Sequence, residues 1–249
     1  MAHGFALRAG AGWLVLAVCV LAAAGCGGSG SGGGLPAGVV AEVGGRTVSL
    51  GTLEHWARAE GKLANMAQIG AANPAWVQPD PPSYKGCVAR LAPARATATV
   101  LAGLRRTCQA SYHDLQSKAL AYLLRLMWEE QQAAEEHIPL TRPELEREYQ
   151  TYTRGAYPNP GELQQLLAYA GLSVADETQR IKKNMLEGKL QERALQRVHA
   201  DAGNKASEHA AQVRESAKLA RLLDETNCRP GYLVEVCRQY RGVMREKVE

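Results

Sequence analysis

Phenylalanine is almost missing from this chain: the single copy is Phe5, and all other large aromatic side chains are tryptophan or tyrosine. The apolar bulk of a core must therefore come from Trp56, Trp76, Trp128 and the nine tyrosines, together with Leu, Val and Ala. Clustered metal ligands are lacking too. Beyond the N-terminal segment the histidines His55, His113, His137, His199 and His209 are scattered, and no H-E-x-x-H occurs. Neither a G-x-S-x-G nor a P-loop is present, so no motif announces nucleophilic or nucleotide chemistry. The formal charge of +4 is spread without a basic cluster, which argues against nucleic acid as a partner. No apolar run reaches the roughly 20 residues that a comfortable helical span needs.

What is present reads first as an address. Arg8 and the amino terminus supply positive charge, Ala11 to Ala24 form an apolar stretch, and small residues follow. The sequence Leu21-Ala22-Ala23-Ala24-Gly25-Cys26 has the form of a bacterial lipoprotein signal, cut before Cys26 once a diacylglycerol is attached to its sulfur. The usual lipobox carries leucine where Ala23 stands. Type I cleavage after Ala24, within an A-x-A pattern, is the alternative and would release a secreted chain. Cysteine pairing favours lipidation. Cys19 leaves with the signal, and Cys87, Cys108, Cys228 and Cys237 make an even set. Unlipidated, Cys26 would be an odd thiol in an oxidising compartment. The expectation is a signal peptide over residues 1–25, a Gly/Ser-rich tether over 26–37 and a lipid anchor on the extracytoplasmic face of the cell membrane. Gly27 to Gly34 would behave as a flexible coil spanning roughly 15 Å.

Abundant Ala, Leu, Glu, Gln, Arg and Lys favour a mostly α fold. Val39–Val43, Gly44-Gly45 and Arg46–Val48 read as a small β-hairpin. Ser49 can cap a helix with Leu53, Trp56, Ala57, Leu63 and Ala64 on its apolar face. Pro74, Pro79, Pro81 and Pro82 require an extended loop from Asn73 to Tyr84. A weak helix is expected over 93–111 and a strong one over 112–136, whose acidic end from Glu129 to Glu136 reads as a solvated face. Thr141 with Glu144, Asn159-Pro160 and Ser173 each open a further helix. A last helix runs over 205–225, with Ala206, Ala210, Val213, Ala217 and Leu223 on one stripe. Cys228 to Cys237 then encloses a Pro-Gly turn leading into a short strand.

In this order, the elements resemble the extracytoplasmic foldases and chaperones of the SurA/PrsA type, in the lipoprotein form of actinobacteria. The matching stretches are Val40 to Val48 leading into the Trp56 helix, and Pro79-Asp80-Pro81-Pro82-Ser83-Tyr84 before Cys87. Leu120 to Glu136, Tyr157 to Asp176 and the Cys228–Cys237 ending match as well. The resemblance implies one helical chaperone domain over 38–240, with an N-terminal lobe (38–140), a helical linker lobe (141–203) and a C-terminal helix and tail (204–240). The parvulin isomerase domain that such foldases carry between linker and final helix is missing; only Val198 to Ser207 join the two. What remains implies a chaperone that binds unfolded or newly exported polypeptides, without cofactor or catalysis. A scaffold for one envelope partner and a foldase with residual prolyl isomerase activity are the alternatives.

The four cysteines allow three connectivities. Local pairing, Cys87–Cys108 and Cys228–Cys237, is the simplest and fits the resemblance; each bridge is worth roughly 3 kcal/mol. A metal site is the rival, but no histidine lies at ligand spacing near either pair. Trp56, Trp76, Tyr84 and Trp128 are candidate client-binding residues, because rigid amphipathic rings offer contact area at low entropy cost. The competing reading places such rings in the core. Oligomeric state is open, since the final helix can pack back or exchange between two chains.

Overall fold

The computed structural model describes residues 34–69, 78–157, 159–201 and 205–240. Among them are seven helices and three strands, so the chain is mostly α. Cys26 and Trp76 lie outside the described residues. Gly44 and Gly45 take φ of 53° and 83°, the positive values that a tight two-residue turn demands. They join β1 (Val39–Val43) to β2 (Arg46–Ser49) in the expected hairpin. The third strand differs from expectation. It is β3 (Thr226–Cys228), which precedes the Pro-Gly turn and pairs antiparallel with β1, giving the order β2-β1-β3. Tyr232 to Val236, expected as a strand, forms none: Tyr232 to Val234 are irregular and Glu235-Val236 lie in a turn.

Ser49 caps α1 (Leu50–Ile69), its Oγ accepting from the Thr52 N–H at 3.0 Å. Leu53, Trp56 and Ala57 are buried on the inner face of α1. The helix that follows was not legible as a separate unit. It is α2 (Lys85–Leu91), which starts after Tyr84 in a left-handed conformation. Tyr84 makes no side-chain cap. Asp80 does so in its place, accepting from the Gly86 and Cys87 N–H groups at 2.9 and 2.8 Å. The Cys87 bond in particular holds its carboxyl below the ordinary value. Ala92 is extended, as a residue before proline prefers, and Pro93 falls in the link.

The two helices expected over 93–136 are one, α3 (Ala98–Glu135). Cys108, Tyr112, Leu115, Ala119 and Leu123 are all buried, so the apolar stripe crosses the anticipated boundary without a break. Disulfides join Cys87 to Cys108, bolting α2 onto α3, and Cys228 to Cys237, closing the C-terminal tail.

Three further helices follow: α4 (Arg142–Ala156), α5 (Pro160–Ala170) and α6 (Val174–Asp201). Thr141 and Glu144 form the expected capping box. The Thr141 N–H and hydroxyl both donate to Glu144 at 2.8 Å, and the Glu144 N–H returns a bond to the Thr141 hydroxyl at 3.3 Å. The Thr141 backbone bond, its hydroxyl and then Lys189 lower the Glu144 carboxyl from its ordinary 4.5 to about 2. A carboxylate with a depressed folded pKa stabilises fully above its unfolded pKa, and the contribution is lost as pH falls through the folded value. The Glu144 carboxyl resonance is accordingly expected to titrate near pH 2 in an NMR experiment. In Thr141→Ala it should move back toward about 4.3.

The last helix is α7 (Lys205–Glu225), which packs beside α6 and leads directly into β3. One core unites the sheet with α1, α2, α3, α5 and the C-terminal tail. Residues 34–249 cluster as a compact unit of their own. Among the described residues no helix is long and apolar enough to cross a membrane.

Candidate functional site

A cleft of about 390 Å³ opens between β2, α3, α4 and α6. Its floor is apolar, from Val48, Leu123, Leu126, Met127 and Leu145, and its sides carry Thr47, Thr52, Thr178 and Gln179. Across the rim, Arg46 and Lys182 both bond the carboxylate of Glu130. Burial pushes the Glu130 carboxyl up, but the Lys182 and Arg46 hydrogen bonds together outweigh it and hold it below the ordinary value. Two cations share one anion here, which leaves the rim with a net positive charge.

Glu130 belongs to the acidic end of α3 that sequence alone presents as a solvated face. The structure corrects that reading. Glu129 pairs with Lys183 at 3.2 Å, Glu135 pairs with Arg221, and Glu136 takes both Arg197 and Lys218. Arg197 also reaches Glu215 at 3.3 Å. These carboxylates are charged rivets between α3 and the α6–α7 pair. Burial raises the Glu129 carboxyl against the pull of Lys183.

Past these rivets, the α6–α7 pair exposes its apolar side chains. Leu195 and Val198 on α6, and Val213 and Leu219 on α7, are each at least half exposed. Ala210 and Ala217 of the small-residue stripe are exposed as well, and α7 buries Leu222 instead. Two neighbouring helices thus carry four large aliphatic groups that stay in contact with water.

The aromatic candidates lie elsewhere. Trp56 is buried against Tyr122, with ring centroids 4.9 Å apart. Tyr84 is buried edge-on to Tyr112. Trp128 is buried and donates from Nε1 to the Thr226 hydroxyl at 2.8 Å. All three are buried, so they are core residues and not a client-facing surface. Phenylalanine is absent from the described residues, and indoles and phenols share the core with Leu, Val and Ala.

One grouping has the composition of a catalytic site. Asp176 accepts from the Ser173 N–H and hydroxyl at 2.7 Å and lies 3.3 Å from His55 Nε2. The carboxylate stands between the hydroxyl and the imidazole, so the imidazole cannot take the hydroxyl proton as a general base. The arrangement is that of a capping box at the start of α6, with the Asp176 N–H returned to the Ser173 hydroxyl at 3.1 Å. Among the described residues no group of three His, Cys, Asp or Glu side chains is placed to hold a metal ion. No protein-family model, curated protein or solved structure matches the chain.

Proposed function

We propose that this chain is a lipid-anchored extracytoplasmic chaperone that binds unfolded or newly exported polypeptides without chemistry of its own. The observation that carries the reading is the exposure of Leu195, Val198, Val213 and Leu219 on α6 and α7, beside a network of ion pairs. The ion pairs hold the helix pair on α3, so the apolar side chains can be offered without the fold depending on them. Unfolded segments expose complementary aliphatic surface, and contact of this kind is non-directional and tolerant of sequence. The Cys26 signal supports placement at the membrane, where a tethered binder gains effective concentration toward chains emerging there.

The direct trial uses residues 26–249 carrying Cys26→Ser, mixed with a reduced, unfolded client. Aggregation is expected to fall at stoichiometric excess, and no effect at all sinks the reading. The triple variant Leu195→Ser, Val213→Ser, Leu219→Ser should lose most of the suppression. Its unfolding midpoint should barely move, because surface substitutions typically cost within about 0.5 kcal/mol each. In cells, Cys26→Ser is expected to shift the protein from the membrane to the soluble fraction. Crosslinking separates the scaffold alternative: many unrelated partners support a chaperone, whereas one dominant partner supports a scaffold.

A further inference from the structure

The cleft beside β2 has something the exposed helices lack: an unpaired strand edge. In β1 the even-numbered residues turn toward β3, as the bond from the Arg229 N–H to the Val40 carbonyl at 2.8 Å shows. Ala41 and Val43 turn toward β2. The Gly44-Gly45 turn makes Val43 and Arg46 a hydrogen-bonded pair, so Thr47, one residue on, directs its N–H and C=O away from β1. Neither group has a hydrogen-bond partner among the described residues. β2 is the outermost strand of its sheet, Thr47 is exposed, and both line the cleft. Facing that edge are the apolar floor at Leu126 and Met127 and the positive rim of Arg46 and Lys182 around Glu130.

We infer that this cleft binds an extended polypeptide segment, added to β2 as a further strand, that carries an apolar residue next to an acidic one. The inference rests on the chaperone reading for its class of ligand and adds a second binding site, a binding mode and a sequence preference. Main-chain bonds to Thr47 ask little of the segment's sequence. Side chains of a strand alternate in direction, so one can enter the floor while its neighbour stays at the surface. An acidic side chain at the rim matches the cation that Glu130 leaves unbalanced. A single outward-facing residue gives few main-chain bonds, and exchange should therefore be rapid.

The test uses residues 26–249 with Cys26→Ser, since residues 34–249 form their own compact unit, and fluorescence anisotropy of a labelled peptide. The probe alternates valine and threonine around a central aspartate. Two sister peptides replace the aspartate by lysine or N-methylate the amide beside it. At least tenfold weaker binding is expected for each sister. Thr47→Pro removes the outward donor and no bond to β1, and should weaken the parent peptide by a similar factor. Lys182→Gln should weaken the acidic peptide alone. Equal binding of all three peptides, or no binding of the parent, overturns the inference; neither result depends on a variant folding. A dimer in sedimentation that Thr47→Pro converts to monomer also overturns it, because the edge then belongs to a second copy. The two readings fail separately. Peptide binding without aggregation suppression defeats the chaperone reading, and suppression that survives with no response to acid or N-methylation defeats this one.

Discussion

Trp128→Ala is expected to lower the unfolding free energy by about 4 kcal/mol, the range for removing a buried indole. Trp128 lies on α3, and its Nε1 donates to the hydroxyl of Thr226, the first residue of β3. Thr226 is completely buried, and its hydroxyl donates a hydrogen bond to the Leu222 carbonyl of α7 at 2.6 Å. The indole thus joins the long helix to both the last helix and the last strand, and its loss opens a cavity where three elements meet. Domains of this size are stable by about 5–15 kcal/mol, so the variant gives up a large share of the total. Trp128→Phe keeps most of the ring volume and drops the donor, and should cost only about 1–2 kcal/mol. Urea titrations of both variants read the difference as a change in midpoint at constant slope. Equal losses for Ala and Phe would place the whole effect in the hydrogen bond and contradict the packing argument.

The second large loss is expected from the double substitution Cys228→Ser, Cys237→Ser, at roughly 3 kcal/mol from the freed loop entropy of the unfolded chain. The damage should not stay local. Cys228 ends β3, and the buried Val234 and Val236 lie within the closed tail. The Arg238 N–H donates to the Thr226 carbonyl at 2.9 Å, so the tail folds back on the strand it follows. Opening the bridge releases both from β1. Hydrogen exchange checks this: amides of Val40 and Glu42, on the β3 side of β1, should lose more protection than those of Ala41 and Val43, which face β2. Uniform loss along β1 would mean that the whole sheet opens as one unit.

Local signals in the sequence carried most of the secondary structure. The hairpin at Gly44-Gly45, the caps at Ser49, Thr141 and Ser173, and the start of α5 after Asn159 are each written within a few residues, and each is where the pattern places it. Apart from the boundary expected inside α3, the failures share one cause, which is that the deciding partner lies far along the chain. α2 depends on Asp80 for its cap and on Cys108 for its bridge. The strand near the C-terminus is Thr226–Cys228 because β1 offers it an edge, a fact invisible from the Pro-Gly turn. Glu129 to Glu136 look solvated until α6 and α7 bring Lys183, Arg197, Lys218 and Arg221 against them. The β2 cleft follows the same rule, since Arg46, Glu130 and Lys182 come from three separate regions. Trp56, Tyr84 and Trp128 were legible as large and rigid, but not as inward-facing, because a ring serves a core or a surface equally well until its neighbours are placed.

The position of β3 also sets the order in which this protein can be completed. Arg229, just past β3, donates to the carbonyl of Val39 at 2.7 Å across a separation of 190 residues. A chain that emerges N-terminus first presents β1 long before its second partner exists, and until then the hairpin has two open edges. High contact order of this kind slows closure, because the loop entropy falls due before the contact is made. Helices α1 to α6 can pack on one another while the sheet waits, and the sheet is complete only when Thr226–Cys228 arrives. For this chain the final strand is a latch on a unit that is otherwise already built.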